Sequence, residues 1–324
     1  MIPPPRLSLA RLPTPLERAD RLSEAWGGPT IWVKRDDLTG FGLSGNKIRK
    51  LEYHLAAARA AGADTVVTCG AAQSNHCRAT ALAAARLGLH CVLYLRTADG
   101  EPPRDVSGNH LLQHLAGAEF RFITPGEYDT RDALMESAAA EFGAAWVIPE
   151  GASDALGSWG FVTAMEELGP QLDAAGIRSP VVWHAASSAG TTAGMIRGAE
   201  ATRRQLRIIG SSVGDSAEDL EGHVRSILDA AGNRFGAVTG EIEWQITDAY
   251  VGGGYGIVSS RELAIQLDAT RLTGLIFDPT YTGKAIYGLH EEIRRGSFGP
   301  RDHVVFWHTG GGFAAFAHDW TTVL

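Results

Sequence analysis

The sequence predicts an α/β protein built on two open, twisted, mostly parallel sheets flanked by helices. Short apolar runs alternate with helix-spaced segments along most of the chain, the pattern of strand–loop–helix units. The 39 glycines cluster where those runs turn into helices. At 324 residues there is chain enough for two domains, or one large unit, with a sizeable core. Hydrophobic content of 44% and charged content of 20% are ordinary for a soluble globular protein.

Taken in order, residues 31–38 read as a strand entering a polar loop, and Gly40, Gly42 and Gly45 let the backbone bend tightly behind it. After Lys47, the apolar residues Ile48, Leu51, Leu55 and Ala58 recur at helical spacing. Residues 64–69 read as a buried strand, and Ser74 then caps an alanine- and leucine-rich helix that reaches about residue 87. Strands follow at 90–95, 120–123 and 145–148, separated by a helix through Leu111, Leu112 and Leu115 and another at 130–142. These repeats, residues 45–158, form a compact parallel-sheet subdomain. A second series starts with a strand at 181–184, then a helix at 193–204 and a strand at 206–213. Helices near 217–231, 261–270 and 283–295 and a strand at 304–307 complete it. Ligands of such folds sit beyond the carboxyl ends of strands, here in a cleft between the sheets.

The net charge of −8 argues against nucleic acid or an anionic membrane surface as partner. No apolar run is long enough to span a bilayer, and the opening residues do not read as a signal peptide. Cys69, Cys77 and Cys91 are too scattered for a disulfide framework and, with His76, lack the second close pair of a metal site. The compartment expected is the reducing cytoplasm, with no metal.

The chemistry concentrates in strand-end loops. Lys47 stands where a flexible turn meets a helix, so its base is rigid while its amine can reach a cavity. Ser187, Ser188, Ala189, Gly190, Thr191 and Thr192 make a small, hydroxyl-rich strand-to-helix loop that can close on a phosphate. Gln73, Ser74, Asn75 and His76 present polar groups at another helix start. Tyr281 and Thr282 follow Asp278 and Pro279, Tyr255 sits on a glycine-rich loop, and Thr309 ends the last strand. Singly, each also reads as a capped turn or a packed side chain. Together they suit pyridoxal 5′-phosphate, with a lysine for the aldehyde, a loop for the phosphate and a hydroxyl for the ring nitrogen. A nicotinamide-dependent oxidoreductase would need a glycine fingerprint that the chain lacks.

The chain resembles the 1-aminocyclopropane-1-carboxylate (ACC) deaminase and D-cysteine desulfhydrase family, pyridoxal-phosphate enzymes of the tryptophan synthase β type (fold type II). The resemblance rests on Lys34-Arg35-Asp36-Asp37, Ser44-Gly45-Asn46-Lys47-Ile48-Arg49-Lys50, Gln73-Ser74-Asn75-His76, Gly151-Ala152-Ser153, Asp278-Pro279-Thr280-Tyr281-Thr282-Gly283-Lys284 and His308-Thr309-Gly310-Gly311, in family order over nearly the whole chain. It implies a large cofactor-binding domain of residues 1–44 and 159–324, a small domain of residues 45–158, and a homodimer. It implies Lys47 as the Schiff-base lysine, flanked by Asn46, and Asn75 on the cofactor's phenolic oxygen. Ser187, Ser188, Ala189, Gly190 and Thr191 would hold the phosphate, and Thr282 or Thr309 the ring nitrogen. Ser74, Asn75, His76, Trp159, Tyr255 and Tyr281 would meet the substrate, with Lys47, Ser74, Tyr255 and Tyr281 catalytic. Ser187 and Trp159 depart from the usual glycine and smaller residue, and Gly312-Phe313-Ala314 replaces Ala-Pro-Ala.

Thr282 stands where the deaminase branch carries a glutamate. A neutral hydroxyl leaves the ring nitrogen largely unprotonated, which favours expulsion of a β leaving group over opening of a cyclopropane. His76 also follows the desulfhydrase pattern. The reaction expected is α,β-elimination, with D-cysteine giving pyruvate, ammonia and hydrogen sulfide. The alternatives are ACC deamination, L-cysteate sulfo-lyase activity, replacement or racemisation, and, from another class, a non-catalytic binding protein.

Overall fold

A computed structural model describes residues 2–238 and 240–324. The first half contains β1 (Leu16–Arg18), α1 (Asp20–Trp26), β2 (Thr30–Arg35), α2 (Lys47–Ala60), β3 (Thr65–Ala71), α3 (Asn75–Leu87), β4 (His90–Arg96), α4 (Gly108–Leu115), β5 (Glu119–Ile123), α5 (Pro125–Tyr128), α6 (Arg131–Glu141) and β6 (Ala145–Val147). The second contains α7 (Trp159–Ala174), β7 (Val181–Ala186), α8 (Gly190–Thr202), β8 (Arg207–Ser212), α9 (Ala217–Phe235), β9 (Glu243–Thr247), α10 (Ser260–Thr273), α11 (Thr282–Arg294) and β10 (His303–His308).

The predicted class forms. A four-stranded parallel sheet has the order β5-β4-β3-β6, and a six-stranded sheet the order β1-β2-β10-β7-β8-β9. Only β1 runs antiparallel to its neighbour. Parallel strands covered on both faces need apolar residues at nearly every position, and β3 and β4 supply Val66, Val67, Cys69, Val92, Leu93 and Leu95, all buried. On one face of the large sheet, Val182, Ile208 and Val305 pack against Phe161, Met165, Ile196 and Val224 from α7, α8 and α9. On the other, Ile31, Trp183 and Phe306 meet Leu22, Ile286 and Leu289 from α1 and α11. Helix starts carry their own acceptors: Ser74, Ser216 and Ser259 cap α3, α9 and α10, the last in a capping box with Glu262.

Two differences from the sequence reading bear on the site. Helix α7 was not expected, because Gly160, Gly169 and Pro170 speak against a helix. It forms because Phe161, Val162, Met165, Leu168 and Leu172 bury a helix-spaced face. A Cβ on Gly160 would lie 2.5 Å from the carbonyl carbon of Arg49, so α7 rests directly on the backbone of α2. Helix α8 begins at Gly190 rather than 193, which brings its amide-bearing end to the hydroxyl-rich loop. Strands β1 and β9 and helices α1 and α5, all short, also escaped the pattern.

Candidate active site

Lys47 is the first residue of α2, and the turn before it is tied from two sides. The Gly45 amide donates to the Asp36 carbonyl and to Thr39 Oγ1, both at 3.0 Å, and the Asn46 amide donates to the Thr309 carbonyl at 3.0 Å. Gly45 has φ +117°, and a Cβ there would meet the Thr309 carbonyl oxygen at 3.3 Å, so both backbone and space call for glycine. Lys47 keeps some exposure, to the cleft. Desolvation of its amine lowers its pKa from 10.5 to about 8, against the opposing pull of Glu150 and Asp278. A neutral amine, the nucleophilic form, is therefore within reach near neutral pH.

Facing it across the cavity is the loop after β7. Ala189 adopts φ +61° and turns the chain into α8. Among the described residues, no backbone hydrogen bond claims the amides of Ala189, Thr191 and Thr192. Open amides at the positive end of a 13-residue helix make an anion cradle. The Gly190 amide instead donates to the Ser188 carbonyl at 2.7 Å, and a Cβ on Gly190 would overlap Ser153, so this glycine brings the loop onto its neighbour. Ser188 Oγ lies 2.7 Å from Ser153 Oγ, to which Lys50 Nζ donates at 2.9 Å. Lys50 thus places a buried amine behind the cradle, its pKa pushed well down by burial and by Lys47 beside it. Its helical spacing from Lys47 was the signal in the sequence, and the sequence reading gave it no role.

The cavity is closed by Asn75 from the start of α3, Tyr281 before α11, and Thr309 after β10. Asn75 Oδ1 accepts from Asn109 Nδ2 at 2.8 Å, which leaves its own Nδ2 toward the cavity. Tyr281 shares a short hydrogen bond with Tyr255, their rings T-shaped at 5.8 Å. Burial raises both phenols, Tyr255 to about 12 and Tyr281 well above 10, so both stay protonated at neutral pH. The Thr282 hydroxyl donates to Asp278 Oδ2 at 3.0 Å and accepts from the Asp278 amide at 2.8 Å. Its one proton is engaged, whereas the Thr309 side chain lies at the cavity. Asp278 also accepts from the amides of Thr280, Tyr281 and Thr282, and burial raises it to about 6 against those bonds.

The structure therefore gathers Asn46, Lys47, Asn75, Ser187, Ser188, Ala189, Thr191, Tyr281 and Thr309 around one cavity. Tyr255 lines the adjoining cleft with Ser187 and Ser188. Ser74 stands just behind, buried, its Oγ accepting from the Cys77 amide at 3.2 Å. The expected substrate contact of Trp159 is corrected. Its ring is buried with Tyr53, Leu156 and Val162 and edge-on to Phe235 at 5.6 Å, because apolar surface there is covered by α2 and α9 rather than left to the cleft. His76 likewise lies beneath the site and does not wall it. The Thr68 hydroxyl donates to the Ile148 carbonyl at 2.7 Å, so His76 Nε2, 2.8 Å from that oxygen, must be the donor. Burial, with Lys47 and Lys50 nearby, holds the ring neutral.

The profile described as "Pyridoxal-phosphate dependent enzyme" matches residues 7–310. The chain belongs to this family. Its cofactor is pyridoxal phosphate, and the residues fit it: a depressed lysine amine, open helix-end amides and an amide donor converge on one cavity. The enzyme is 39% identical over 319 residues to a putative 1-aminocyclopropane-1-carboxylate deaminase of Thermotoga maritima, covering 96% of this chain and 98% of that one. It is 38% identical over 319 residues to a D-cysteine desulfhydrase of Yersinia enterocolitica, covering 97% and 96%. A crystal structure of an ACC deaminase homologue superposes with a TM-score of 0.87 at 34% identity, over 97% of this chain and 94% of that chain. The fold is also that of a threonine deaminase from Solanum lycopersicum, TM-score 0.67 at 18% identity.

Proposed function

We propose that the enzyme is a lyase that eliminates the β substituent of a small amino acid, with D-cysteine giving pyruvate, ammonia and hydrogen sulfide. One observation carries this reading. Thr309 lines the cavity opposite the phosphate loop with no hydrogen bond claiming its hydroxyl among the described residues, whereas the Thr282 proton is taken by Asp278, a buried carboxylate itself engaged by Thr280, Tyr281 and Thr282. A ring nitrogen met by a hydroxyl stays unprotonated, which favours elimination over cyclopropane opening. The cofactor, when bound, supplies the electron sink for the bond-breaking at Cα.

The protein's own groups do the rest. Lys47 removes the α-proton, since its amine titrates near 8 and is partly neutral at physiological pH. Tyr255 and Tyr281, held protonated and bonded to each other, leave one O–H to hydrogen-bond the departing thiolate as the Cβ–S bond breaks, and the proton Lys47 took from Cα is then available to the sulfur. Ser74 and Asn75, at the start of α3, hold the substrate carboxylate, and Asn75 Nδ2 also meets the cofactor's phenolic oxygen. The amides of Ala189, Thr191 and Thr192, backed by Ser187, Ser188 and Lys50, hold the phosphate. Three buried, free cysteines suit a reducing cytoplasm. Leu43, Ile276 and Phe316, the last 78% exposed, line one apolar groove that a second copy would cover in a homodimer, testable by light scattering.

The test is product analysis with D-cysteine, L-cysteine and ACC. Sulfide and pyruvate in equal amounts from D-cysteine support the reading. Product from ACC alone would replace it with ring opening.

A further inference from the structure

We propose that Asn109 and Arg78 are positioning residues that fix which end of the Asn75 amide faces the cofactor, so that a donor meets its ring oxygen. The proposal rests on the reading of Asn75 above. Asn109, on α4, and Arg78, on α3, are 0% and 1% exposed. Neither was singled out by the sequence, because Asn109 lies 34 residues from Asn75 and meets it only in the fold.

The argument is one of hydrogen-bond polarity. A guanidinium can only donate, and Arg78 Nη1 donates to Asn109 Oδ1 at 3.1 Å while Nη2 donates to the Ser44 carbonyl at 2.7 Å. A main-chain carbonyl can only accept, and that of Gln73 lies 2.8 Å from the other end of the Asn109 amide. Held between a pure donor and a pure acceptor, Asn109 has one allowed orientation. Its Nδ2 must then give its second hydrogen to Asn75 Oδ1, at 2.8 Å. Asn75 is turned in consequence, its Nδ2 toward the cavity it lines and close enough to Gly311 that a Cβ there would lie 2.6 Å away. The Gln73 side chain locks the assembly, accepting from the Asn109 main-chain N–H at 2.9 Å and donating to the Ser107 carbonyl at 3.1 Å.

The same chain carries charge. Among the described residues no carboxylate forms an ion pair with Arg78, and the ring of Phe313 covers it at 5.3 Å. A buried cation with no direct ion pair, opposed at longer range by Asp278, polarises the amides that lead from it, so the cavity end favours an oxygen anion. Reversing Asn75 would set its Oδ1 against that oxygen instead.

The experiment follows the visible absorption band of the cofactor-loaded protein as a function of pH, with cofactor affinity measured in parallel. In Asn109→Asp the acceptor for Arg78 remains but the donor to Asn75 is lost, and Asn75 turns its own Nδ2 to the new carboxylate. A ring oxygen deprived of its donor holds the neighbouring proton more tightly. The midpoint of the band is therefore expected to move up by about one pH unit or more. Asn109→Ala removes more packing but does not force Asn75 round, so its shift should be smaller. A shift in Asn109→Ala equal to or larger than that in Asn109→Asp would reveal a merely structural role and overturn the proposal. Arg78→Met and Arg78→Lys test the first link independently of whether Asn109→Asp folds: methionine should raise the midpoint and lysine, still a pure donor, should restore it. An unchanged midpoint in Arg78→Met overturns the relay. Asn75→Ala separates the two readings. If it leaves the midpoint unmoved, the role of Asn75 itself fails; if it moves the midpoint while Asn109→Asp does not, only the relay fails.

Discussion

At the scale of single residues, the proposed reaction turns on how far the surroundings of Lys47 shift its amine. With Lys47 at about 8, roughly a tenth of the amine is neutral at pH 7 and about nine tenths at pH 9. Cofactor uptake by the apoprotein should therefore rise about tenfold between those values and then level off. A rise of about a hundredfold with no plateau would mean an ordinary lysine. The sign follows from burial: desolvation disfavours the charged form, so the neutral amine appears earlier on raising pH than it would in water. Replacing Lys47 with alanine should lower turnover by roughly 10²–10⁴-fold and abolish the visible band, while circular dichroism stays that of the parent. A Lys47→Ala protein with normal turnover would remove the lysine from the mechanism.

At the scale of elements, precision in the cleft depends on how closely helices lie behind it. Lys47, Arg49 and Lys50 share α2, and α7 presses on that helix at Gly160 with no side chain between the backbones. Gly160→Ala puts a methyl 2.5 Å from Arg49 carbonyl carbon and 2.7 Å from the Lys50 nitrogen, so one helix must move. Overpacking of this kind costs about 1–3 kcal/mol. The expected variant is less stable in urea and also slower, because the displaced helix carries Lys47, the amine proposed to act on the substrate; unchanged kcat with reduced stability would show that α2 does not transmit the shift. This contact also shows where sequence reading stops. Strands β3, β7 and β10 and helix α3 were legible, because apolar runs, a serine cap and glycine turns are local signals. Helix α7 was not, since the glycines that let it approach α2 and the proline inside it are the residues that argue against a helix.

At the scale of the whole molecule, the sequence showed Lys34-Arg35-Asp36-Asp37 as a motif but not its use, because the partners lie far along the chain. Lys34 Nζ, fully buried, donates to the Thr14 carbonyl, to Gln171 Oε1 and to Glu167, the last 133 residues away. Arg49 bonds both oxygens of Asp36, at 2.9 and 2.8 Å, and both oxygens of Glu167, at 3.0 and 3.1 Å. Trp307 Nε1 adds a bond to Asp36 at 2.9 Å. The network joins the amino-terminal arm, β2, β10, α7 and α2, the helix of Lys47, and its two cations balance its two carboxylates. Burial disfavours the charge on Arg49, but Asp36 and Glu167 more than offset it. Glu167→Ala leaves a buried excess cation and should cost about 3–5 kcal/mol, read from chemical denaturation. Replacing both partners, Lys34→Met with Glu167→Leu, restores neutrality, so the double variant should be more stable than Glu167→Ala alone. If the losses simply add, electrostatic balance is not what holds α2 in place. If the double variant recovers stability but its kcat stays low, the network orients the helix as well as stabilising it, since apolar replacements fill the space without fixing Arg49 in direction.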